Sequence, residues 1–113
     1  YRRQSMDYEI KRLQRLYDDA LASIRTDVRS AFLRLEESRK RVDATRANLE
    51  TAKESYRMEE ERLKRQVGTI QNLLNAQDQL TRAEAGKNQA LLDYQIALAD
   101  LYMAMGIRNE ALD

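Results

Sequence analysis

A large, mostly apolar residue recurs at every seventh position between residues 21 and 63: Leu21, Val28, Leu35, Val42, Leu49, Tyr56 and Leu63. A period of 3.5 residues held over so many turns describes one face of a long helix wound left-handed around a partner. Three residues after the first five members runs a second line, Ile24, Ala31, Ser38, Thr45 and Ala52. The seam is therefore bulky on one side and small on the other. Residues 70–105 repeat the design. There Ala76, Ala83, Ala90, Ala97 and Ala104 form an unbroken heptad line beside Leu73, Leu80, Lys87, Tyr94 and Leu101.

Between the two periodic stretches lies Arg65-Gln66-Val67-Gly68-Thr69, which holds the first glycine of a chain that has no proline. Glycine is the usual residue where a helix closes in a left-handed conformation, so Gly68 is expected to stop the first helix. Thr69, with Asn72 three residues later, resembles a helix N-cap and a weak capping box. The expected fold class is all-α: a long antiparallel helical hairpin, a coiled coil with a small-residue seam. Its bounds are helix 1 over 1–66, a tip turn at 67–69, helix 2 over 70–105 and a tail at 106–113. Folding the chain about Gly68 tests the two seams against each other. Ala52 meets Ala83, Thr45 meets Ala90, Ser38 meets Ala97 and Ala31 meets Ala104. Beside them Leu63 meets Leu73, Tyr56 meets Leu80, Val42 meets Tyr94 and Leu35 meets Leu101. Small faces small and large faces large, which lets the backbones approach closely. Only Leu49 opposite Lys87 breaks the pattern, and a lysine there can carry its amine outward to water.

Composition narrows the function. The chain has 113 residues, 35% of them charged and 6% aromatic, with no Cys, His or Trp. Such a chain holds one domain at most, cannot build a thick core, and suits long helices. Without His or Cys a metal site or nucleophilic triad has little to work with, and no cofactor is expected. No apolar run reaches the ~18–20 residues of a membrane-spanning helix. The chain opens on Tyr1 with no signal-peptide pattern, and reads as a piece of something longer. Residues 1–65 carry 17 Lys/Arg against 13 Asp/Glu, and residues 66–113 carry 3 against 6, so the arms differ in sign. Screening keeps that attraction small.

Two apolar surfaces are left over. With helix 2 ending at Gly106, residues 1–28 overhang the hairpin by roughly 40 Å. They carry Met6, Ile10, Leu13, Leu16, Tyr17, Leu21 and Ile24, a stripe without a partner in this chain. Around Leu91, Leu92, Ile96, Leu98 and Met103 helix 2 is apolar on more than one face. Both call for further helices. By contrast no catalytic constellation is found. Glu59-Glu60-Glu61 reads as ordinary solvated surface, and Gly68 and Gly86 stand alone rather than in a phosphate loop. Arg57, Arg62, Lys64 and Arg65 gather near the tip, but no aromatics interleave with them and acids flank them. That favours a protein partner over nucleic acid. Beyond the turn, Gln71, Asn72, Asn75, Gln77, Asp78 and Gln79 make an amide-rich start to helix 2, suited to an aqueous lining or a polar docking face.

The string Val67-Gly68-Thr69-Ile70-Gln71-Asn72-Leu73-Leu74-Asn75-Ala76-Gln77, with Leu80, Ala83 and Ala90 downstream, resembles the TolC-like outer membrane efflux proteins. So do the segments 27–35 on the first arm and 94–106 on the second. The resemblance covers nearly the whole chain. It implies a homotrimeric outer-membrane channel whose β-barrel continues into a periplasmic α-barrel of hairpins, this chain being the long-helix hairpin of the second repeat. It further implies membrane contact only through barrel segments absent from this chain. A tip made of Arg65, Gln66, Val67, Gly68 and Thr69 would dock a periplasmic adaptor protein, and through it an inner-membrane transporter. Asn72 and Asn75 would line the channel entrance. Three departures matter. Gln66 stands where the family commonly has glycine, so the turn is expected to rest on Gly68. Asn72 and Asn75 replace the acidic residues many members carry, so a cation-binding ring is not expected. Leu63 and Gly68 occupy the places of a Tyr–Arg lock found in some members. The competing reading is a structural or adaptor-type coiled-coil hairpin that binds partners and conducts nothing. A third, an RNA-binding helical arm, predicts salt-sensitive affinity focused on the tip arginines.

Overall fold

In the computed structural model the backbone is described for residues 1–112 and side chains for residues 1–106. Two helices account for it: α1, Arg2–Lys64, and α2, Ile70–Leu112. They pack antiparallel as a single hairpin, and all-α is the fold class. At roughly 1.5 Å per residue the 63 residues of α1 span ~95 Å. The molecule's long dimension is 96 Å, so α1 is itself the long axis and is close to straight.

Nothing in the α1 sequence interrupts it, because neither glycine nor proline occurs before Gly68. Its outer faces are laced by ion pairs one turn apart, among them Arg41–Glu37 at 3.3 Å, Arg57–Glu54 at 2.6 Å and Lys64–Glu60 at 3.3 Å. Pairs of this kind each add a few tenths of a kcal/mol to a helix. In the tightest, the hydrogen bond and then the charge of Arg57 hold the Glu54 carboxyl below its ordinary value. The same contacts raise the Arg57 guanidinium. Both groups stand in water, so the pair supports the helix locally.

The seam lies where the heptad lines place it. Ala31, Ser38, Val42, Leu49 and Ala52 of α1 are buried, as are Ala76, Ala83, Ala90 and Ala97 of α2. Thr45 and Ala104 are half-buried. Leu49, Ala52 and Ala83 form one apolar cluster with Leu80 packed on it. The flanks of the seam carry the same register: Ser38 and Ala97 share one groove with Arg41 and Asp93, and Ala52 and Ala83 share another. Arg41 reaches Asp93 across the helices at 3.7 Å. Ser38 and Thr45 sit in the seam without orphaned hydroxyls. Ser38 Oγ donates to the Leu35 carbonyl at 2.8 Å, and Thr45 Oγ1 lies 2.9 Å from the carbonyls of Arg41 and Val42.

The helix ends differ from the sequence expectation at both termini of interest. α1 ends at Lys64, two residues short of the expected 66, and the residues that follow form its cap. α2 does not stop at Gly106 but runs on to Leu112; Asp113, the end of the expected tail, lies outside the described residues. A glycine inside a helix costs only about 0.5–1 kcal/mol relative to alanine, too little to end one that nothing else interrupts. The longer α2 shortens the overhang. Leu21 and Ile24 are the first half-buried positions of α1. Residues 1–20 are exposed throughout.

Because the backbones approach through alanine, bulk in the seam should drive them apart. Ala83→Leu and Ala90→Leu are each expected to destabilise the hairpin by about 1–3 kcal/mol. Thermal unfolding followed by circular dichroism measures this. Unchanged stability would remove the argument for a tight seam.

Candidate functional site at the hairpin tip

The turn that joins the helices is built on a left-handed residue, and that residue is Gln66, with φ of 65°. Gly68 has no positive φ. The expectation that Gly68 supplies the left-handed conformation is therefore corrected. The bonding around Gln66 is that of a Schellman cap. Arg65 is the C-cap, still right-handed at φ −81°, ψ 0°. The Gln66 N–H donates to the Leu63 carbonyl and the Val67 N–H to the Arg62 carbonyl, both at 3.0 Å. Gly68 adds a third bond to the same Arg62 carbonyl, also at 3.0 Å.

Gly68 is needed for a different reason, which is proximity. A Cβ on it would lie 3.0 Å from the Arg62 Cβ and 3.1 Å from both the Arg62 carbonyl carbon and the Leu63 nitrogen. These are rigid helix atoms, so a side chain there has nowhere to go. Thr69 then opens α2. Its Oγ1 accepts from the Asn72 N–H at 3.1 Å and its carbonyl accepts from the Leu73 N–H at 3.2 Å. Thr69 is thus a true N-cap. Leu63 and Leu73, half-buried, close the apolar seam just inside the turn.

The surface of the tip is mixed. Arg65 is exposed and pairs with Glu61 at 3.5 Å. Asn72 and Asn75 are both exposed, and Asn75 Oδ1 accepts a bond from the Gln71 amide at 3.1 Å. Sequence reasoning singled out Val67 but passed over Ile70 and Leu74. All three are large, apolar and exposed; Val67 lies in the turn, and Ile70 and Leu74, four residues apart, share a face at the start of α2. The signal was available: neither Ile70 nor Leu74 belongs to a seam line. Glu59 was also misjudged. It is not ordinary surface but half-buried, with one carboxyl oxygen shut off from solvent. Among the described residues no cluster of carboxylates is placed to hold a metal ion.

Apart from Tyr1 and Met58, the exposed large apolar side chains elsewhere fall into two further groups. One covers the overhang from Met6 to Tyr17. The other flanks the part of the hairpin farthest from the tip, with Phe32 and Leu33 on α1 and Leu92, Ile96, Leu98 and Met103 on α2. Between Leu33 and Met58 on α1, and between Leu74 and Leu92 on α2, there are none. The hairpin has a polar waist. No helix among the described residues is long and apolar enough to cross a membrane.

The turn geometry yields opposite expectations for its two key residues. Gln66→Gly removes the left-handed strain of a residue with a Cβ and should stabilise the chain by about 1 kcal/mol. Gly68→Ala inserts a methyl group against rigid backbone and should destabilise it by about 1–3 kcal/mol. Thr69→Ala, losing the cap, should lose about 1 kcal/mol. Melting temperatures of the three variants decide the matter; a destabilised Gln66→Gly with a neutral Gly68→Ala would reverse the assignment.

The heptad seam, the capped turn and the apolar flanks extend over almost the whole chain, and so does its likeness to known sequences. The family model described as outer membrane efflux protein matches residues 2–107. No curated protein and no solved structure matches the chain. With a family match of that extent, laid over the very hairpin described above, the chain belongs to the outer membrane efflux protein family.

Proposed function

We propose that this hairpin is a stave in the periplasmic tunnel wall of a homotrimeric efflux channel in the outer membrane of a Gram-negative bacterium. The observation that carries the reading is the exposure of Phe32 and Leu33 on one helix and of Leu92, Ile96, Leu98 and Met103 on the other. Apolar residues on both outer flanks of one hairpin suit neighbours on both sides, as a ring provides. The overhang from Met6 to Tyr17 continues the same demand toward the barrel. The chain then acts as a passive conduit wall and not as an enzyme. What it conducts is set by the transporter at the other end.

In this reading the tip, Arg65 to Thr69, docks a periplasmic adaptor. Val67, Ile70 and Leu74 supply its apolar contact, and Arg65 and the neighbouring amides its polar rim. Asn72 and Asn75 line the entrance as neutral polar groups. Opening comes from α2 sliding against α1 near the tip, which small seam residues allow because they interlock less deeply than large ones.

The test is disulfide trapping in cells, in the full-length parent. Cysteine at position 72 or 75 is expected to link across subunits, with loss of efflux. An intact hairpin that never cross-links under any condition would favour the adaptor-type reading instead. Separately, Val67→Asp with Ile70→Asp should cut cross-linking of the tip to the adaptor by about tenfold, equivalent to roughly 1.4 kcal/mol. Melting should change little, since both side chains are exposed. Undiminished adaptor capture would remove the apolar tip from the docking surface.

A further inference from the structure

The small-residue line of α1 does not end at Ala52. Seven residues on it reaches Glu59, and seven more brings it to Gln66 in the turn. The register sets Glu59 opposite Ala76, which is buried at 5% exposure. A carboxylate therefore occupies a seam position that holds alanine, serine or threonine in the four preceding heptads, from Ala31 to Ala52. Its Oε2 is shut off from solvent and has no hydrogen-bond partner. Its Oε1 has only a loose ion pair, 3.7 Å from Arg62 Nη1.

The contrast with the other polar seam residues is informative. Ser38 and Thr45 are short enough to return their hydroxyls to carbonyls of their own helix. A carboxylate only accepts, and a helix interior has no free N–H to offer it. Across the seam, Leu73, Ala76 and Leu80 bring no donor. Arg82, the first basic residue of α2, is engaged with Asp78 at 3.1 Å. An acceptor buried without a partner counts against the state that buries it, and water satisfies it as soon as that state opens.

We infer that Glu59 is a weak point built into the seam, which lets the tip ends of α1 and α2 part while the hairpin beyond Ala83 stays closed. The penalty exists only in the packed state, so it lowers the free energy needed to open the turns around Ala76. Among the described residues the seam farther from the tip holds no such group, so it is expected to open less readily than the tip. This inference concerns the hairpin itself and holds whatever the tip binds.

Amide hydrogen exchange on the full chain tests it, with Glu59→Ala compared against Glu61→Ala. The two substitutions make the same gain in helix propensity, and each deletes one loose ion pair with an arginine, Glu59–Arg62 at 3.7 Å or Glu61–Arg65 at 3.5 Å. They differ in whether a buried, unpartnered oxygen is removed. Glu59→Ala is expected to slow exchange at residues 73–80 by about tenfold, the effect of relieving one such group. Exchange at residues 83–97 should stay unchanged. Glu61→Ala should leave both segments as they are. Unchanged or faster exchange at 73–80 in Glu59→Ala overturns the inference, as does equal slowing in Glu61→Ala. Slowing spread evenly along α2 does so too, because it would mean a global effect in place of a local one.

Discussion

Close approach of two helix backbones through alanine is the constraint on which the rest of this hairpin depends. Methyl groups at Ala31, Ala52, Ala76, Ala83, Ala90 and Ala97 let the helices come near enough for Val42 and Leu49 to be buried from the side. The result is a thin core, and no large side chain among the described residues is fully enclosed. Cohesion is therefore spread over many weak, equivalent contacts along a molecule 96 Å long and only 15 Å across its thinnest dimension. Such a core resists a register shift of whole residues, which would set large residues against the small line, yet it interlocks too shallowly to resist shear of a fraction of a residue, and it contributes little per turn. That is why the apolar flanks matter. A two-helix assembly this slender leaves many large apolar side chains exposed along its flanks and overhang.

The seam and its register were legible because both are one-dimensional. Heptad spacing determines which residues face inward, and matching small with small determines how the arms align. Ends and turns are not one-dimensional. Gly68 carries the sequence signature of a left-handed cap, yet the backbone spends that glycine on closeness to Arg62 and Leu63 and asks Gln66 to take the left-handed turn. No local rule separates these two uses, because the distance to Arg62 exists only once the chain has folded back. At Gly106 the local rule misled in the other direction, predicting a stop in a helix that runs on to Leu112.

Glu59 is a different kind of miss. The line Ala31, Ser38, Thr45, Ala52 points straight at it, seven residues farther on, and the acidic run Glu59-Glu60-Glu61 drew attention to charge instead of position. Periodicity outranks composition when the two disagree about where a side chain goes. Ile70 and Leu74 were overlooked for a related reason: they lie off every seam line, which is what leaves them outside. At the tip, then, the backbone logic of the cap was partly readable from sequence, whereas the apolar character of the surface emerged only when burial sorted the leucines and isoleucines into those used and those spare.

The polar waist has a mechanical consequence. Between Leu33 and Met58 on α1 and between Leu74 and Leu92 on α2, the outer faces of the hairpin offer a neighbour nothing greasy to hold. In the proposed ring, staves set side by side with such faces would be gripped by two hoops, one above the waist and one at the tip, with wet wood between. Those middle spans can bow outward or inward without tearing an apolar joint, and they flex most where the distance between hoops is greatest. A wall built this way is stiff against pulling along its length and compliant around its girth.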